Sequence, residues 1–543
     1  MAERAVGGAR TPISRERCVA PPSLAIAAGL AVACGGLYFL SFPGLDLWPL
    51  GFIALVPLRI ALVGQTPKHA FWIGWLSGFV MSSLGFYWMV EMLRKFSGFP
   101  VFICGFFALV VNAFQAGRMG AFGWLFARAE RGGWPRGLVW LAALASTELA
   151  FPVLFWWSFG AVLHPVPALT QVADLGGVTA VGLVAGAGNW AIAEWLLALL
   201  EGRRVPLRAT APYWLTPLLA CSYGAWRIHD VDRQVAAAPH SEIGLVQGNM
   251  SLMGKRDNPM ESLARHLRGT AQLVEQSKPE LVLWSETVAL PAMQTRTAGV
   301  VGQRTLAADV PVPLLFGAVI VKPVSDARRY ALYNSALIAD AHGIVQGRYD
   351  KQSLVAFSEK MPFGRELPWL YDISPNSGRF EQPDSVDAVP FGEHRIAVTI
   401  CNDDVATGST NRAARDPRTD LIANLTNDAW FGDTTEPWIH LALAKFRAIE
   451  HRRFFVRATN SGVSAFIDPV GRVLAQTSTF NEQTLAQRVA WMRGTTVYER
   501  LQDYPYWLCA ALLLFAAFRE RGAGSRRHPI VNQAASNDDL HAE

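Results

Sequence analysis

At 543 residues the chain exceeds one ordinary domain, and its composition, 51% hydrophobic and 17% charged with a mean hydropathy of +0.20, is that of a membrane protein. The net charge of +5 is small and its basic residues sit in loops, so a nucleic-acid partner is excluded. Six cysteines without Cys/His spacing leave no disulfide framework and no metal motif, and no cofactor is expected.

Taken in chain order, residues 1–22 are rich in Arg, Gly, Ser and Pro and read as a flexible cytoplasmic tail. Apolar segments then crowd residues 23–228, vanish over 229–503 and return once at 504–518, before a second cytoplasmic tail at 519–543. That pattern predicts an integral membrane α-helical bundle of eight transmembrane helices. Seven precede a globular insert and one closes the chain. The predicted spans are 23–41, 47–63, 70–92, 100–127, 137–156, 169–200, 211–228 and 504–518, lengths that a rise of about 1.5 Å per residue carries across a bilayer core.

Charge fixes the orientation. With a cytoplasmic N-terminus, the inside segments carry Arg4, Arg10, Arg15, Arg17, Lys68, Arg128, Arg131, Arg136, Arg203, Arg204, Arg208, Arg519, Arg521, Arg526 and Arg527, whereas the outside loops carry Arg94 and Lys95. Seven crossings from an inside start put the insert outside the cytoplasm, and the eighth returns the tail. Within the spans, Arg118, Glu148, Asp174 and Glu194 each cost roughly 3 kcal/mol if central and unpaired. Either they pair between helices, Arg118 with Glu148 for example, or they mark a route for a lipid headgroup or substrate.

The insert alternates β-type runs with helical stretches. Runs at 243–248, 281–284, 313–320, 333–338, 345–349, 395–400, 421–424 and 464–467, with a polar helix near 258–276, predict an α/β domain with helices covering its sheets, an αββα layering. Three ionisable residues stand at run ends: Glu286, Lys351 and Cys401, the only cysteine of the insert. Ends of adjacent strands converge, so chain-distant groups meet there.

A free thiol is only a few per cent thiolate at neutral pH and attacks a carbonyl only beside a base or a cation. Glu286 is a candidate base if burial raises its pKa, and Lys351 a candidate stabiliser of thiolate and oxyanion. The resulting thioester passes either to water or to an amine. The bland alternative is a buried cysteine acting as a small hydrophobe.

The segments around the trio decide between these. Trp284-Ser-Glu286-Thr, Tyr349-Asp-Lys351, Leu354-Val-Ala-Phe-Ser-Glu359, Pro362-Phe-Gly364, Ile400-Cys401 and Thr426-Asn-Asp-Ala-Trp-Phe-Gly-Asp433 together resemble the nitrilase superfamily. With Thr459-Asn-Ser-Gly-Val-Ser464, Asp468-Pro-Val-Gly471 and, in the bundle, Trp157-Ser-Phe-Gly160, Gln171 and Asn189, the chain from 23 to 518 resembles the apolipoprotein N-acyltransferase family. The resemblance implies a nitrilase-like αββα insert in the periplasm, on a bacterial inner-membrane bundle.

It also implies a two-step reaction. Cys401 takes an acyl chain from a phosphatidylethanolamine-like phospholipid, then acylates the α-amino group of a diacylglyceryl apolipoprotein. On the same grounds Glu286 is the general base, Lys351 the oxyanion stabiliser and Glu359 a supporting carboxylate. Asn427, Trp430 and Phe431 belong to a lid over the acyl pocket. The sequence departs from the family at Asn402 and Asp403, where Tyr and Glu are usual, at Arg256, where a tryptophan is common, and at Ala356, where a proline is. Those changes touch the pocket walls and keep open a membrane-tethered amidase, a paralogue with another amine acceptor, and a non-catalytic scaffold.

Overall fold

Hydrophobic helices open the chain, and glycine decides how closely they pack. The computed structural model describes residues 21–294, 300–305, 310–324, 330–373 and 377–519. Its first helices are α1 (Leu24–Leu40), α2 (Val56–Ala61), α3 (Pro67–Gly85), α4 (Met89–Ser97), α5 (Val101–Arg131), α6 (Arg136–Ala150), α7 (Pro167–Thr170), α8 (Ala173–Leu200) and α9 (Ala211–Ala237). A Cβ on Gly74 would lie 2.2 Å from the Met119 carbonyl oxygen, and one on Gly123 2.3 Å from that of Ala70. Only glycine lets the backbones of α3 and α5 touch in this way.

Several predicted spans are not single rods. The 47–63 stretch divides into a 3-10 turn, Trp48–Phe52, and α2, and the 70–92 stretch breaks into α3 and α4, bent by 63°. The 137–156 stretch stops at Ala150, because Pro152 drives the preceding residue into extended backbone. Within α8, Gly176 and Gly177 leave helical geometry, Gly177 at a φ of 66°. Conversely α9 continues beyond 228 to Ala237, and the first strand of the insert begins only at His240. Its polar last turns close on themselves through Asp230, which accepts from Arg227, Arg233 and Gln234. By length and composition α5 and α8 suffice to cross a membrane among the described residues, and the bent α3–α4 pair makes a third; α1, Trp48–Ala61 and the last helix are apolar but shorter.

Broken helices expose backbone that lipid cannot satisfy, and the buried polar side chains of the bundle attend to it. Gln115 Oε1 accepts from Phe155 N at 2.9 Å, Arg118 donates to Trp157 O at 2.5 Å, and Glu148 Oε1 accepts from Phe159 N at 2.6 Å. Arg118 and Glu148, named above as an example of a pair between helices, instead tie down one non-helical segment. Asn189 does the same for the 48–61 break, accepting from Leu55 N and donating to Gly51 O, both at 2.7 Å. Glu194 pairs with Arg59 at 2.8 Å.

The insert is a two-sheet sandwich. Its strands are β1 (His240–Gln247), β2 (Leu281–Trp284), β3 (Ala289–Gln294), β4 (Leu314–Pro323), β5 (Tyr330–Ala339), β6 (Val345–Asp350), β7 (Val389–Phe391), β8 (His394–Ile400), β9 (Thr419–Thr426), β10 (Phe454–Thr459), β11 (Ala465–Ile467), β12 (Val473–Gln476) and β13 (Gln483–Ala490). One sheet runs β13-β1-β2-β4-β5-β6 with β3 against β4; the other runs β12-β11-β10-β9-β8-β7. Parallel pairs, β1–β2–β4 and β8–β9–β10, occupy the centres, and antiparallel strands close the edges.

Alternation along a strand explains the apolar runs. In β2, Leu281 and Leu283 face the second sheet and share a core with Ile396, Val398, Leu421 and Phe455. Val282 and Trp284 face the other way, into a core with Leu263 and Leu273 of helix α11 (Pro259–Gln276), which follows the short α10 (Leu252–Asp257). After α12 (Leu370–Ile373), helices α13 (Thr407–Ala413) and α14 (Glu436–His451) cover the second sheet. The layering is therefore αββα. Helices α15 (Val497–Leu501) and α16 (Tyr504–Phe518) lead back to the bundle, where α16 packs on α6.

Polar bonds dock the sandwich on the bundle. Arg452, the left-handed C-cap of α14, donates to Asp174 Oδ2 at 2.7 Å and to Gln171 O at 3.1 Å, while Gln171 Nε2 donates to Val470 O at 3.0 Å. Glu450 accepts from Val178 N at 2.9 Å, just past the break in α8.

Candidate active site

The three residues singled out at strand ends lie near enough to act on one another electrostatically. Glu286 follows β2, Lys351 follows β6 and Cys401 follows β8. Lys351, 2% exposed, places Nζ 3.0 Å from Glu359 Oε1, 2.9 Å from Glu359 Oε2 and 3.5 Å from Glu286 Oε1. Burial lowers the lysine pKa, but the charges of Cys401, Glu359, Glu286 and Asp403 outweigh it, so Lys351 stays an ammonium well above its ordinary value.

The cation serves its neighbours in turn. Burial raises the Glu286 pKa, Lys351 pulls it back and Glu359 pushes it up again, which leaves a carboxylate with enhanced basicity. Burial likewise raises the Cys401 thiol, and Lys351 is the opposing influence. In the resting site the proton belongs on sulfur, next to a carboxylate and a cation.

Asn334 on β5 is a member that sequence reasoning missed. Its Nδ2 donates to Glu286 Oε1 at 2.7 Å and to Glu359 Oε1 at 2.9 Å, and its backbone carbonyl accepts from Lys351 N at 2.9 Å. One amide thus spaces two carboxylates around one ammonium. The run 333–338 was visible as a strand, but nothing local marks which of its residues faces the pocket. Glu359 is further fixed by Val355 N at 2.9 Å. Lys255, also unassigned from sequence, is buried and donates to the Glu286 carbonyl oxygen at 2.9 Å; burial lowers it to about 8. The neighbouring Arg256 side chain lies outside the described residues.

Cys401 sits on a strained turn. Cys401 has a φ of 50°, in the left-handed region that non-glycine residues rarely adopt, and opens the 3-10 turn Cys401–Asp403. Asp403 holds that turn in place by accepting from Ile400 N at 3.2 Å, Gln352 N at 3.2 Å, Ser353 N at 2.6 Å and Tyr349 OH at 2.9 Å. The shorter carboxylate joins the Cys401 turn to the segment that carries Lys351. Asn424 Nδ2 holds the Cys401 carbonyl at 3.1 Å. Asn402 is only half-buried.

The 427–431 segment follows β9 and packs against the bundle. Asn427 is buried and its Oδ1 accepts from Asn460 Nδ2 at 2.9 Å. Trp430 meets Phe96 with centroids 6.2 Å apart, Phe431 meets Trp88 edge-on at 5.1 Å, and Lys95 Nζ donates to Ala429 O at 3.3 Å. Helix α4 therefore forms the floor beneath these aromatics.

The donor atoms of Asp428, Glu436 and His440 lie within 4.8 Å of one another, near enough to surround a cation. The positive charge there is already supplied, because Arg457 bonds Asp428 at 3.1 Å and Asp404 at 2.8 Å.

Comparison with known proteins finds family models that match two stretches of the chain. The family model described as the apolipoprotein N-acyltransferase N-terminal domain matches residues 34–202, and the carbon-nitrogen hydrolase model matches residues 243–492. The apolipoprotein N-acyltransferase of Azotobacter vinelandii is 30% identical across 92% of this chain and 97% of its own length. That of Geobacter metallireducens, at 27% across 91% of this chain and 95% of its own, and that of Pseudomonas putida, at 29% across 89% and 95%, are similar over the same extent. Among solved structures, an amidase from Nesterenkonia sp. is 19% identical, covering 50% of this chain and 98% of its own, with a TM-score of 0.35.

Proposed function

This chain belongs to the apolipoprotein N-acyltransferase family, and from that premise we propose that it moves an acyl chain from a phospholipid, through a thioester on Cys401, to the α-amino group of a diacylglyceryl apolipoprotein. The observation that carries the reading is the buried Lys351 ammonium, held between Glu286 and Glu359 and acting on the Cys401 thiol.

In the first half-reaction Glu286 takes the thiol proton as sulfur attacks the ester carbonyl of the donor. Lys351 stabilises first the thiolate and then the tetrahedral oxyanion. Collapse breaks the C–O bond, and the departing lyso-phospholipid oxygen takes the proton from Glu286. In the second, the acceptor amine attacks the thioester, Glu286 receives its proton, and the thiolate leaves beside Lys351 and is reprotonated. Glu359 and Asn334 keep the lysine and the base in register, and the aromatic segment with Asn427, Trp430 and Phe431 walls the acyl chain.

A lipid donor suits the setting. Confining enzyme and donor to one bilayer spares the exposure of an acyl chain to water, at roughly 0.8 kcal/mol per CH₂. We assign eight crossings to the bundle, counting the broken helices as spans, with both termini cytoplasmic and the sandwich periplasmic. Support comes from the excess of Arg and Lys in the inside loops. The match of the bundle itself to the N-acyltransferase model favours this reading over an amidase.

The test is direct. Enzyme incubated with a labelled phospholipid and no acceptor should carry a hydroxylamine-labile acyl group on Cys401, chased off by a diacylglyceryl-cysteine peptide. A folded, lipid-bound enzyme with no adduct by mass spectrometry refutes the scheme.

A further inference from the structure

Beneath the nucleophile turn lies a closed ring of four charged side chains that the mechanism above does not use. His440 Nε2 is 2.8 Å from Asp404 Oδ1 and its Nδ1 is 3.2 Å from Asp428 Oδ1. Arg457 closes the ring, with Nη1 2.8 Å from Asp404 Oδ2 and Nη2 3.1 Å from Asp428 Oδ2. No side chain in it is more than 3% exposed. Signs alternate around it. Each corner comes from a different element: the turn after β8, the segment after β9, helix α14 and strand β10.

A neutral imidazole carries one N–H and one lone pair, so it satisfies one carboxylate and repels the other. Both carboxylates here accept from Arg457, whose charge helps hold Asp428 well below the usual carboxylate range, and both also face an imidazole nitrogen, leaving His440 to bring two N–H groups. Among the described residues the remaining ionisable group facing it is Glu436, one turn earlier on α14, with Oε1 3.9 Å from Nδ1 and Oε2 buried without a partner among them. We infer that His440 is a permanent imidazolium and a positioning residue, whose cation locks the turn carrying Cys401 to the segment that walls the acyl pocket.

The consequence reaches the sulfur by short steps. Asp404 is three residues beyond Cys401 on the same strained turn, and Arg457 also bonds Asn424 Oδ1 at 2.9 Å, the side chain that holds the Cys401 carbonyl. Asp428 acts on the thiol directly, raising its pKa. Losing the imidazolium leaves two buried carboxylates sharing one guanidinium beneath the nucleophile. Burial and Arg457 push the His440 pKa down, but Asp404 and Asp428 carry it up to about 10, so the cation persists at every working pH.

The inference deepens the proposed thioester reaction, and its first test does not need that reaction. Full-length enzyme labelled with ¹⁵N-histidine in detergent micelles, with the resonance assigned by its loss in His440→Gln, should show both ring nitrogens protonated from pH 6 to 9. If that variant does not accumulate, Asp404→Asn identifies the same resonance by displacing it. A neutral tautomer at pH 7.5, or a tightly bound metal whose removal by a chelator shifts the resonance, overturns the assignment. In thioester formation, His440→Gln should lower the rate at saturating phospholipid about tenfold with KM unchanged. His440→Gln/Asp404→Asn, which removes one charge of each sign, should recover much of that loss. A double variant as slow as the product of the single losses refutes the charge-ring role. A wild type that forms no thioester while showing the imidazolium would instead refute the acyl-transfer reading.

Discussion

Replacing Lys351 by methionine keeps the bulk of the side chain and removes its charge. The ammonium is 2% exposed and lies 2.9 Å and 3.5 Å from two carboxylates, so nothing from solvent substitutes for it. Loss of one oxyanion donor costs roughly 3 kcal/mol of barrier, or 10²- to 10³-fold in rate. A second penalty follows from the geometry. Glu286 and Glu359 would share Asn334 with no cation between them, and two such carboxylates do not both stay ionised. A proton taken up by Glu286 disables the base, so Lys351→Met should slow thioester formation at least about a thousandfold. Arginine should not rescue it, because a planar fork does not fit a site shaped for a point charge. The assay is single-turnover acylation by labelled phospholipid, quenched and read as adduct on Cys401 by mass spectrometry. A methionine variant within about tenfold of wild type refutes the role given to the cation.

Other substitutions probe the supports. Asp403→Asn turns an acceptor of four donors into a partial donor, and should cost about 3 kcal/mol in chemical unfolding as well as most thioester formation. Asn334→Ala removes a hydrogen bond that lowers the Glu286 pKa, so activity should fall more at pH 6 than at pH 8.5; a profile of unchanged shape counts against Glu286 as the base. Burial and Asp428 raise Glu436 to about 8, so the folded state keeps this proton over a pH range in which the unfolded chain loses it, and stability declines as pH rises through that window. Glu436→Gln mimics the protonated form, and its gain in Tm over wild type should grow between pH 5 and pH 8; a constant difference contradicts the shift. For orientation, a thiol reagent that does not cross the inner membrane should reach Cys401 in spheroplasts, and labelling only from the cytoplasmic side reverses the assignment.

Much of the candidate site was legible because its ionisable groups stand at strand ends. A strand announces itself by a short apolar run, and the residue after it is where the chain leaves the sheet, so Glu286, Lys351 and Cys401 could be named from position and chemistry. Glu359 came from its surrounding motif. Asn334 and Lys255 could not be named. Each lies inside or beside an element whose pattern reports burial but not which pocket a polar side chain enters, and their partners are far along the chain. Asp403 was noted only as a shortened carboxylate; its four bonds depend on how the Lys351 segment lies across the turn.

Hydropathy by itself determined that helical segments flank an α/β insert, since apolar area is a local property of the chain. It could not determine that the 47–63 and 70–92 stretches are broken, or that α9 outlasts its apolar run. Breaks arise where backbone finds partners on other helices, as Leu55 N does on Asn189 and Phe155 N on Gln115. The extra turns of α9 rest on side-chain pairs with little hydrophobic signal. Only the tertiary structure brought Asp404, Asp428, His440 and Arg457 into one ring, because each supplies one corner and the charge balance exists only when all four are buried together.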